Sequence, residues 1–201
     1  MKVGVLALQG DFDKHCRILN NLGIIPQNIR YPNQLEQVEG LIIPGGESTT
    51  MSDLINRAMF YEPIRNFSKS FPVLGTCAGL IMMAKKVLDE KINPLALLDI
   101  TVERNAYGSQ IHSFTHNLGI EIKGQKRSVP ATFIRAPKIY AVHPAVEILS
   151  KYNQEYVAVR QGKHVGLAFH PELDNVSFFH ELTFMGNNFK NNMRKKDRNV
   201  T

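Results

Sequence analysis

The first ninety residues alternate short apolar runs with segments of helical periodicity. Continuously apolar runs occupy residues 3–8, 41–43 and 72–74, and residues 26–32 offer a weaker one. Apolar side chains recur at helical spacing at Phe12, Cys16, Leu19 and Leu22, and helices are also predicted over residues 48–60, 62–70 and 78–88. Because the strands of a parallel sheet are buried on both faces, they read as continuous apolar runs. The pattern predicts an α/β fold with a mostly parallel central sheet and helices on both of its faces.

The second half of the chain has a different pattern. Between residues 100 and 167 the apolar runs are short, alternate with polar residues and are interrupted by stretches such as YGS and KGQKRS. This pattern predicts antiparallel strands added to the main sheet, and residues 174–193 then read as a helix. We expect a single domain over residues 1–193, followed by a basic, disordered tail over residues 194–201.

The charge of the chain is concentrated at its end. The formal net charge is +6, and residues 190–201 hold five basic residues against one acidic residue. The body of the protein is therefore close to neutral, which argues against a nucleic-acid partner, although a role for the basic tail stays open. No apolar stretch approaches the length of a membrane span.

The two cysteines, Cys16 and Cys77, lie far apart in the sequence. The apolar run at the N-terminus is too short for a signal peptide and lacks a convincing cleavage site, so we expect a reducing, cytoplasmic location without a structural disulfide. The spacing of Cys16 with Phe12 and Leu19 favours a role in the core over a redox role.

Cys77 stands between glycines at the end of a predicted strand. The stretch GTCAG, residues 75–79, has the form glycine, any residue, nucleophile, any residue, glycine, which makes a tight turn from strand to helix and lifts the nucleophile clear. The start of the helix would favour the reactive thiolate. A buried cysteine in close strand–helix packing fits this pentapeptide about as well.

A candidate base for Cys77 follows the predicted strand VGLAF. His170 comes directly after this run, and Glu172 lies two residues further on, where it can orient the imidazole as the third member of a triad does. Because Pro171 enforces an extended exit from the strand, both side chains can be aimed at one point. The combination favours a catalytic interpretation of Cys77.

A third stretch, IIPGGEST, places two glycines after a buried strand. Their backbone N–H groups, together with that of Ala78, could form an oxyanion hole. A glycine-rich turn with Ser48 as helix cap is compatible with this interpretation.

Together, PGGEST, GTCAG and FHPE resemble motifs of the class I (triad) glutamine amidotransferases. The stretches GVLALQGD, GGESTTM, GTCAGLIMMAK, VERNAYGSQIHSF and FIRAP further resemble the glutaminase subunits of pyridoxal 5′-phosphate synthase, from Val3 to about Leu173. The resemblance implies a class I glutamine amidotransferase-like fold. It also implies hydrolysis of glutamine to glutamate and ammonia through a cysteine thioester.

The resemblance also assigns roles to individual positions. It makes Cys77 the nucleophile, His170 the general base and then acid, and Glu172 the carboxylate that orients His170. It implies that glutamine is bound by Gly46, Glu47, Ser48, Arg104, Ile134 and Arg135. Gly46 and Ala78 would supply the oxyanion hole, and Gln9 matches a nearby residue that responds to a partner subunit.

The implied partner is a separate (β/α)₈ synthase chain, which joins the ammonia to a pentose phosphate and a triose phosphate. Neither a metal nor another cofactor is expected in this chain. His15 is expected near Gln9 at the sheet edge, and the remaining histidines read as surface or structural residues. Three alternatives stay open: an amidotransferase serving another acceptor such as the imidazole glycerol phosphate pathway, a non-catalytic regulatory module, and a cysteine peptidase.

Overall fold

The chain alternates strands and helices in its first half and runs mostly through strands in its second half. The structure, a computed structural model, describes residues 1–104, 113–122 and 125–186. The strands in this part of the chain are β1 (Lys2–Leu6), β2 (Ile25–Ile29), β3 (Leu41–Ile43), β4 (Val73–Thr76), β5 (Ala84–Val87), β6 (Leu98–Glu103), β7 (Phe114–Ile122), β8 (Gln125–Phe133), β9 (Lys138–Val142), β10 (Glu147–Tyr152), β11 (Glu155–Gln161) and β12 (His164–Leu167). The α-helices are α1 (Phe12–Asn21), α2 (Ser48–Arg57), α3 (Tyr61–Ser70), α4 (Ala78–Met83) and α5 (Phe178–Phe184), and a 3₁₀ helix spans Pro32–Gln37. Within the described ranges, no helix has the length and apolar character needed to cross a membrane.

One large sheet joins parallel and antiparallel strands. Its strand order is β2-β1-β3-β4-β12-β11-β9-β6-β5, and β10 pairs with β11. The strands from β2 to β12 pair in parallel, whereas β11 and β9 pair with their neighbours in antiparallel fashion. β7 and β8 form a separate hairpin. The predicted α/β fold, with antiparallel strands added to a parallel sheet, is confirmed.

Helices cover both faces of the parallel strands, as two successive residues of β4 demonstrate. A Cβ on Gly75 would lie 2.5 Å from Sδ of Met83, so this position faces α4. The next residue, Thr76, places its Oγ1 3.4 Å from Nε2 of His15 in α1. Since successive side chains of a strand point to opposite faces, α4 and α1 lie on opposite sides of the sheet. The predicted placement of helices on both faces is confirmed.

Aromatic packing holds α5 against the end of β12. Phe169 and Phe179 are both fully buried, and their ring centroids lie 5.4 Å apart in an edge-on arrangement. Such a pair contributes about 0.5–1.5 kcal/mol beyond the burial of its area. Because His170 directly follows Phe169, this contact also fixes the segment that carries the candidate base.

The helix predicted over residues 78–88 is too long. α4 ends at Met83, and residues 84–87 form β5 beside β6. The carbonyls of Met82 and Met83 accept hydrogen bonds from the N–H groups of Leu95 (2.7 Å) and Leu97 (2.9 Å). In a continuing helix these carbonyls would instead bind N–H groups four residues further along. Tertiary hydrogen bonds therefore end α4 early.

The helix predicted over residues 174–193 begins later in the structure, at Phe178. The segment before it forms turns: the Leu173 N–H donates to the His170 carbonyl (3.2 Å), and the Val176 N–H donates to the Pro171 carbonyl (3.0 Å). These bonds replace helical ones. Residues 187–193, the predicted domain boundary and the basic tail lie outside the described residues.

Candidate active site

Cys77 occupies the sharp turn between β4 and α4. Its backbone has φ 50° and ψ −104°, and its N–H donates to the carbonyl of Leu167 at the end of β12 (2.8 Å). A non-glycine residue in such a sparsely populated conformation costs about 1–3 kcal/mol, which the surrounding structure must offset. The turn therefore holds the thiol at the carboxyl end of the parallel strands.

Close backbone contacts explain the glycines on either side of Cys77. A Cβ on Gly79 would lie 1.9 Å from the carbonyl oxygen of Ile43 in β3, and one on Gly75 would lie 2.7 Å from the backbone of Gly79. Neither distance is possible between non-bonded atoms, so no side chain fits at either position. The spacing of the motif follows from this packing of helix against strand.

His170 lies beside the thiol, just beyond β12. Its backbone N–H donates to the Thr132 carbonyl (2.9 Å), its Nδ1 hydrogen-bonds Glu172, and Cys77 lines the same cavity beside the ring. Burial alone would lower the pKa of His170, but the hydrogen bonds and charges of Cys77 and Glu172 outweigh it and raise the pKa to about 10. The arrangement thus favours an imidazolium beside the sulfur.

Glu172 completes a buried triad behind His170. Its Oε1 lies 2.7 Å from Nδ1 of His170, and its side chain has no exposed surface. Although burial alone would raise the pKa of Glu172, the neighbouring His15 and His170 lower it below its ordinary value. The carboxylate is therefore ionised and orients the imidazole.

The glycine-rich loop after β3 packs against the triad. A Cβ on Gly45 would lie 2.4 Å from Cε1 of His170, and one on Gly46 would lie 2.5 Å from Nε2 of Gln9. The side-chain amide of Gln9 bonds the backbone of Glu47 twice, donating to its carbonyl (3.1 Å) and accepting from its N–H (3.3 Å). Gln9 therefore fixes the loop that passes over the thiol.

A cavity of about 200 Å³ opens above Cys77. This volume is below the roughly 300–1,000 Å³ of pockets that hold drug-sized ligands and suits a molecule the size of an amino acid. Its lining residues are Gly46, Glu47, Ser48, Cys77, Ile81, Arg104, Ile134, Arg135 and His170.

Arg104 connects the polar side chains of one cavity wall through ion pairs and a hydrogen bond. Its Nη1 lies 3.5 Å from carboxylate oxygens of both Glu47 and Asp89 and donates to the Thr49 hydroxyl. The Glu47 carboxylate accepts hydrogen bonds from the backbone N–H groups of Thr49 and Thr50 at the start of α2. Burial alone would raise the pKa of Glu47, but these hydrogen bonds outweigh it and lower the pKa to about 2.

On the opposite side, Ile134 and Arg135 approach Cys77 from the end of β8. The thiol lies 3.8 Å from the Ile134 carbonyl oxygen, a distance at which sulfur can donate a weak hydrogen bond. Arg135 adopts a positive φ of 42°. The bridge between Thr132 and His170 sets this approach, because it joins the end of β8 to the triad segment.

The structure therefore brings the residues singled out in the sequence to one place. Most of them line the cavity, Glu172 lies behind His170, and Gln9 binds the loop. Ala78 is the first residue of α4, so its N–H has no partner within the helix. Residues 105–112 of the VERNAYGSQIHSF stretch lie outside the described residues.

Two buried histidines next to the triad were not assigned to the site by the sequence. His15 and His180 have no exposed surface, and Nδ1 of His15 lies 2.9 Å from Nε2 of His180. Nε2 of His15 lies 3.5 Å from Oε2 of Glu172. The sequence does contain a pattern that indicates the burial of His15: it precedes Ile18, Leu19 and Leu22 at helical spacing, which is typical of the buried face of a helix.

Within the described ranges, the His, Cys, Asp and Glu side chains form no group of three or more that could hold a metal ion. Both cysteines are free. Cys16 is half-buried against the core and donates to Oδ1 of Asn28 (3.4 Å). Burial and the nearby Asp13 raise the pKa of its thiol, which makes Cys16 less reactive.

The sequence is similar to one described family and to many individual proteins. Residues 5–188 match the model of the SNO glutamine amidotransferase family. The pyridoxal 5′-phosphate synthase subunit PdxT of Shouchella clausii is 48% identical over 182 residues, which cover 90% of this chain and 92% of that protein. The subunit of the same name from Oenococcus oeni is 48% identical over 181 residues, covering 90% and 94% of the two chains.

Solved structures are similar as well. A crystal structure of a glutamine amidotransferase superposes with a TM-score of 0.84 and 40% identity, covering 91% of this chain and 97% of the other. The structure of PurLQS from Thermotoga maritima matches with a TM-score of 0.67 over 92% of this chain and 98% of its own. At 17% identity, that second likeness concerns the fold alone.

Proposed function

Because the chain belongs to the SNO glutamine amidotransferase family, we propose that it is the glutaminase subunit of a pyridoxal 5′-phosphate synthase. The enzyme class expected from the motifs, a glutamine amidotransferase, is confirmed by this membership. The observation that carries the proposal is the buried Cys77–His170–Glu172 triad at the floor of a cavity of amino-acid size. Similarity to two proteins named as synthase subunits supports the choice of pathway.

In the first half of the reaction, the Cys77 thiolate attacks the side-chain amide carbon of glutamine. A C–S bond forms, and the electron pair of the carbonyl moves onto oxygen. His170, protonated beside the sulfur, then gives its proton to the amide nitrogen. The C–N bond breaks, ammonia leaves, and a γ-glutamyl thioester remains on Cys77.

In the second half, His170 accepts a proton from water, and the resulting hydroxide attacks the thioester carbon. The C–S bond breaks, and Cys77 returns to the thiolate while His170 keeps the proton. The product leaves as the γ-carboxylic acid, which loses its proton to solvent and becomes glutamate. Glu172 stays ionised throughout and stabilises the imidazolium from its Nδ1 side.

The oxyanion of each tetrahedral intermediate needs preorganised donors. We assign this role to the N–H groups of Gly46 and Ala78, which belong to the loop after β3 and to the start of α4. Gln9 supports the first donor indirectly, since its amide binds the backbone of Glu47.

Substrate recognition falls to the walls of the cavity. A guanidinium group is suited to the α-carboxylate of glutamine, and Arg104 and Arg135 both line the cavity. Backbone groups of Gly46, Ser48 and Ile134 are suited to the amide and ammonium ends. Glu47 shapes the wall of the cavity, because its side chain caps α2 and its backbone N–H and carbonyl already bond Gln9.

The ammonia would pass to a (β/α)₈ synthase chain, which combines it with a pentose phosphate and a triose phosphate. We place the complex in the cytoplasm, where both cysteines stay reduced. The proposed reaction involves neither a nucleic acid nor a membrane.

The test separates ammonia production from its use. The chain and its Cys77→Ala variant are each assembled with the synthase subunit, and pyridoxal 5′-phosphate is measured with either glutamine or ammonium chloride as nitrogen source. We expect the variant complex to make product from ammonium chloride but none from glutamine. Product from glutamine at the unaltered rate would contradict the proposal.

Assays of ammonia release and of peptide cleavage separate the alternatives. An amidotransferase for another acceptor would release ammonia only with a different synthase, such as that of the imidazole glycerol phosphate pathway. A regulatory module would release none with any partner. A peptidase would cleave peptides without hydrolysing glutamine.

A further inference from the structure

A chain of buried polar side chains continues behind the triad. Beyond Glu172 it runs through His15 of α1 to His180 of α5, and neither histidine has exposed surface. We propose that His15, held by His180, is a positioning residue that fixes the Glu172 carboxylate and, through it, the imidazole of His170. This inference deepens the proposed function and rests on it.

The two oxygens of Glu172 have different surroundings. Oε1 is paired with Nδ1 of His170 at 2.7 Å. Oε2 is buried and makes no regular hydrogen bond within the described residues, and Nε2 of His15 lies 3.5 Å from it. A buried carboxylate oxygen is costly to leave without a donor. His15 is placed to supply that donor after a small shift.

The contact with His180 decides which nitrogen of His15 carries the proton. Burial keeps both histidines neutral, since it lowers the pKa of each below its ordinary value. One proton is therefore shared between Nδ1 of His15 and Nε2 of His180, which are 2.9 Å apart. If His180 donates, His15 carries its proton on Nε2 and points an N–H at Glu172.

The opposite arrangement is unfavourable. It would put the proton on Nδ1 of His15 and aim the lone pair of Nε2 at an ionised carboxylate where neither side chain has exposed surface. The charges that act on His15 are those of Glu172, His170 and Asp11. The neutral His180 contacts His15 through Nε2; its ring lies near the Val176 carbonyl, and its buried Nδ1 has no regular hydrogen bond in the described part of the chain. The carboxylate nearest to Nε2 therefore selects the arrangement in which His180 donates.

His15 also contacts the segment that carries the nucleophile. Nε2 of His15 lies 3.4 Å from Oγ1 of Thr76, the residue directly before Cys77. One ring therefore lies between the end of β4 and Glu172. Loss of this ring would loosen the mutual geometry of thiol, imidazole and carboxylate together, while the walls of the cavity stay in place.

The first test needs no altered protein. In the full-length chain labelled with ¹⁵N-histidine, ring nitrogen shifts separate protonated from bare nitrogens. We expect His15 to carry its proton on Nε2 and His180 to carry one on its own Nε2. A His15 ring protonated on Nδ1 alone would overturn the proposal.

The second test compares His15→Leu, which removes the donor, with His15→Gln, whose amide N–H can still reach Glu172. The control is His164→Gln, because His164 is a part-buried histidine at the other end of β12 whose Nδ1 accepts from the Val73 N–H. Alkylation of Cys77 by iodoacetamide at pH 7 reports its thiolate without glutamine turnover, and peptide mass spectrometry separates it from Cys16.

We expect His15→Leu to alkylate about 10-fold more slowly than the unaltered chain, and His15→Gln and the control to stay within about 3-fold. In the assembled complex, His15→Leu should lower kcat for glutamine about 10–100-fold and leave KM within about 2-fold. Equal alkylation of all forms, or equal losses in both His15 variants, would overturn the inference. If His15→Leu alkylates more slowly but the unaltered complex does not hydrolyse glutamine, the proposed function is refuted and the positioning role of His15 is not.

Discussion

Oε1 of Glu172 lies 2.7 Å from Nδ1 of His170, so the carboxylate holds the imidazole with its other nitrogen free for the thiol of Cys77. The two residues are separated by Pro171 alone. Their geometry therefore depends on the backbone directly after β12, which is fixed by the bridge to Thr132 and by the burial of Phe169.

This pair yields a prediction for Glu172→Gln. An amide retains the size of the carboxylate but cannot stabilise an imidazolium, and it can present an N–H to the wrong ring nitrogen. We expect kcat for glutamine hydrolysis in the complex to fall by about 10²–10⁴-fold while the fold persists. Glu147→Gln, at a surface pair with Arg160, is the control and should be fully active. Activity of Glu172→Gln within threefold of the unaltered enzyme would remove Glu172 from the triad.

Gly79 yields a prediction about stability. A methyl group at this position would lie 1.9 Å from the carbonyl oxygen of Ile43, whereas one on Gly119 would meet nothing within 4 Å. We expect Gly79→Ala to lower the free energy of unfolding by about 1–3 kcal/mol or more, a fall in Tm of several degrees for a chain of this size. Thermal unfolding of both variants tests this expectation, and Gly119→Ala should unfold within about 1 °C of the unaltered chain.

Gln9 yields a prediction about the loop over the active site. Gln9→Ala removes both hydrogen bonds to the Glu47 backbone and frees the segment that carries Gly46. We expect kcat in the complex to fall about 10-fold or more, because a misplaced oxyanion donor is costly in the transition state. The matched variant Gln27→Ala loses a surface bond to Gln37 and should keep its activity. A Gln9→Ala enzyme as fast as Gln27→Ala would show that the loop needs no such support.

Arg104 yields a prediction about substrate affinity. Arg104→Met keeps much of the side-chain volume but removes the positive charge from the cavity. If Arg104 binds the α-carboxylate in ground state and transition state alike, KM for glutamine should rise about 10–100-fold with kcat changed less than fivefold. Arg57→Met, which breaks a surface pair with Asp53, is the control. An unchanged KM would place the carboxylate site elsewhere, with Arg135 as the next candidate.

His164 yields a prediction about stability at low pH. Burial, assisted by Lys163, lowers its pKa to about 4 in the folded state, from an ordinary value of 6.5. The unfolded chain therefore binds a proton first, and stability is lost as the pH falls from about 6.5 towards 4. With allowance for partial solvent exposure, the unaltered chain should lose about 1 kcal/mol more than His164→Gln between pH 7.5 and pH 5. Urea unfolding at both pH values measures the difference, and parallel losses would contradict the assignment.

The parts of the site that depend on local sequence could be predicted well. The glycines around Cys77 act through contacts within one strand–turn–helix unit, and His170 and Glu172 belong to one short stretch. Arg104, Ile134 and Arg135 carry no local signal of their own and came from the resemblance to a family. Their approach to Cys77 depends on the pairing of distant strands.

Other features could not be predicted, because the contacts that decide them are distant in sequence. α4 ends at Met83 because the N–H groups of Leu95 and Leu97 donate hydrogen bonds to the carbonyls of Met82 and Met83. His15 and His180 are 165 residues apart, so neither reveals the other. His15 lies on the buried face of α1, whereas the helical spacing of Phe12, Cys16 and Leu19 predicts that the half-buried Cys16 lies on that face.

The most direct test of the central claim is glutamate and ammonia release from glutamine by this chain, alone and mixed with its cognate pyridoxal 5′-phosphate synthase subunit. We expect release that appears or rises strongly on mixing and that is abolished in Cys77→Ala. No release in either state, with binding of the two chains confirmed, would contradict the claim that Cys77, His170 and Glu172 form a working glutaminase.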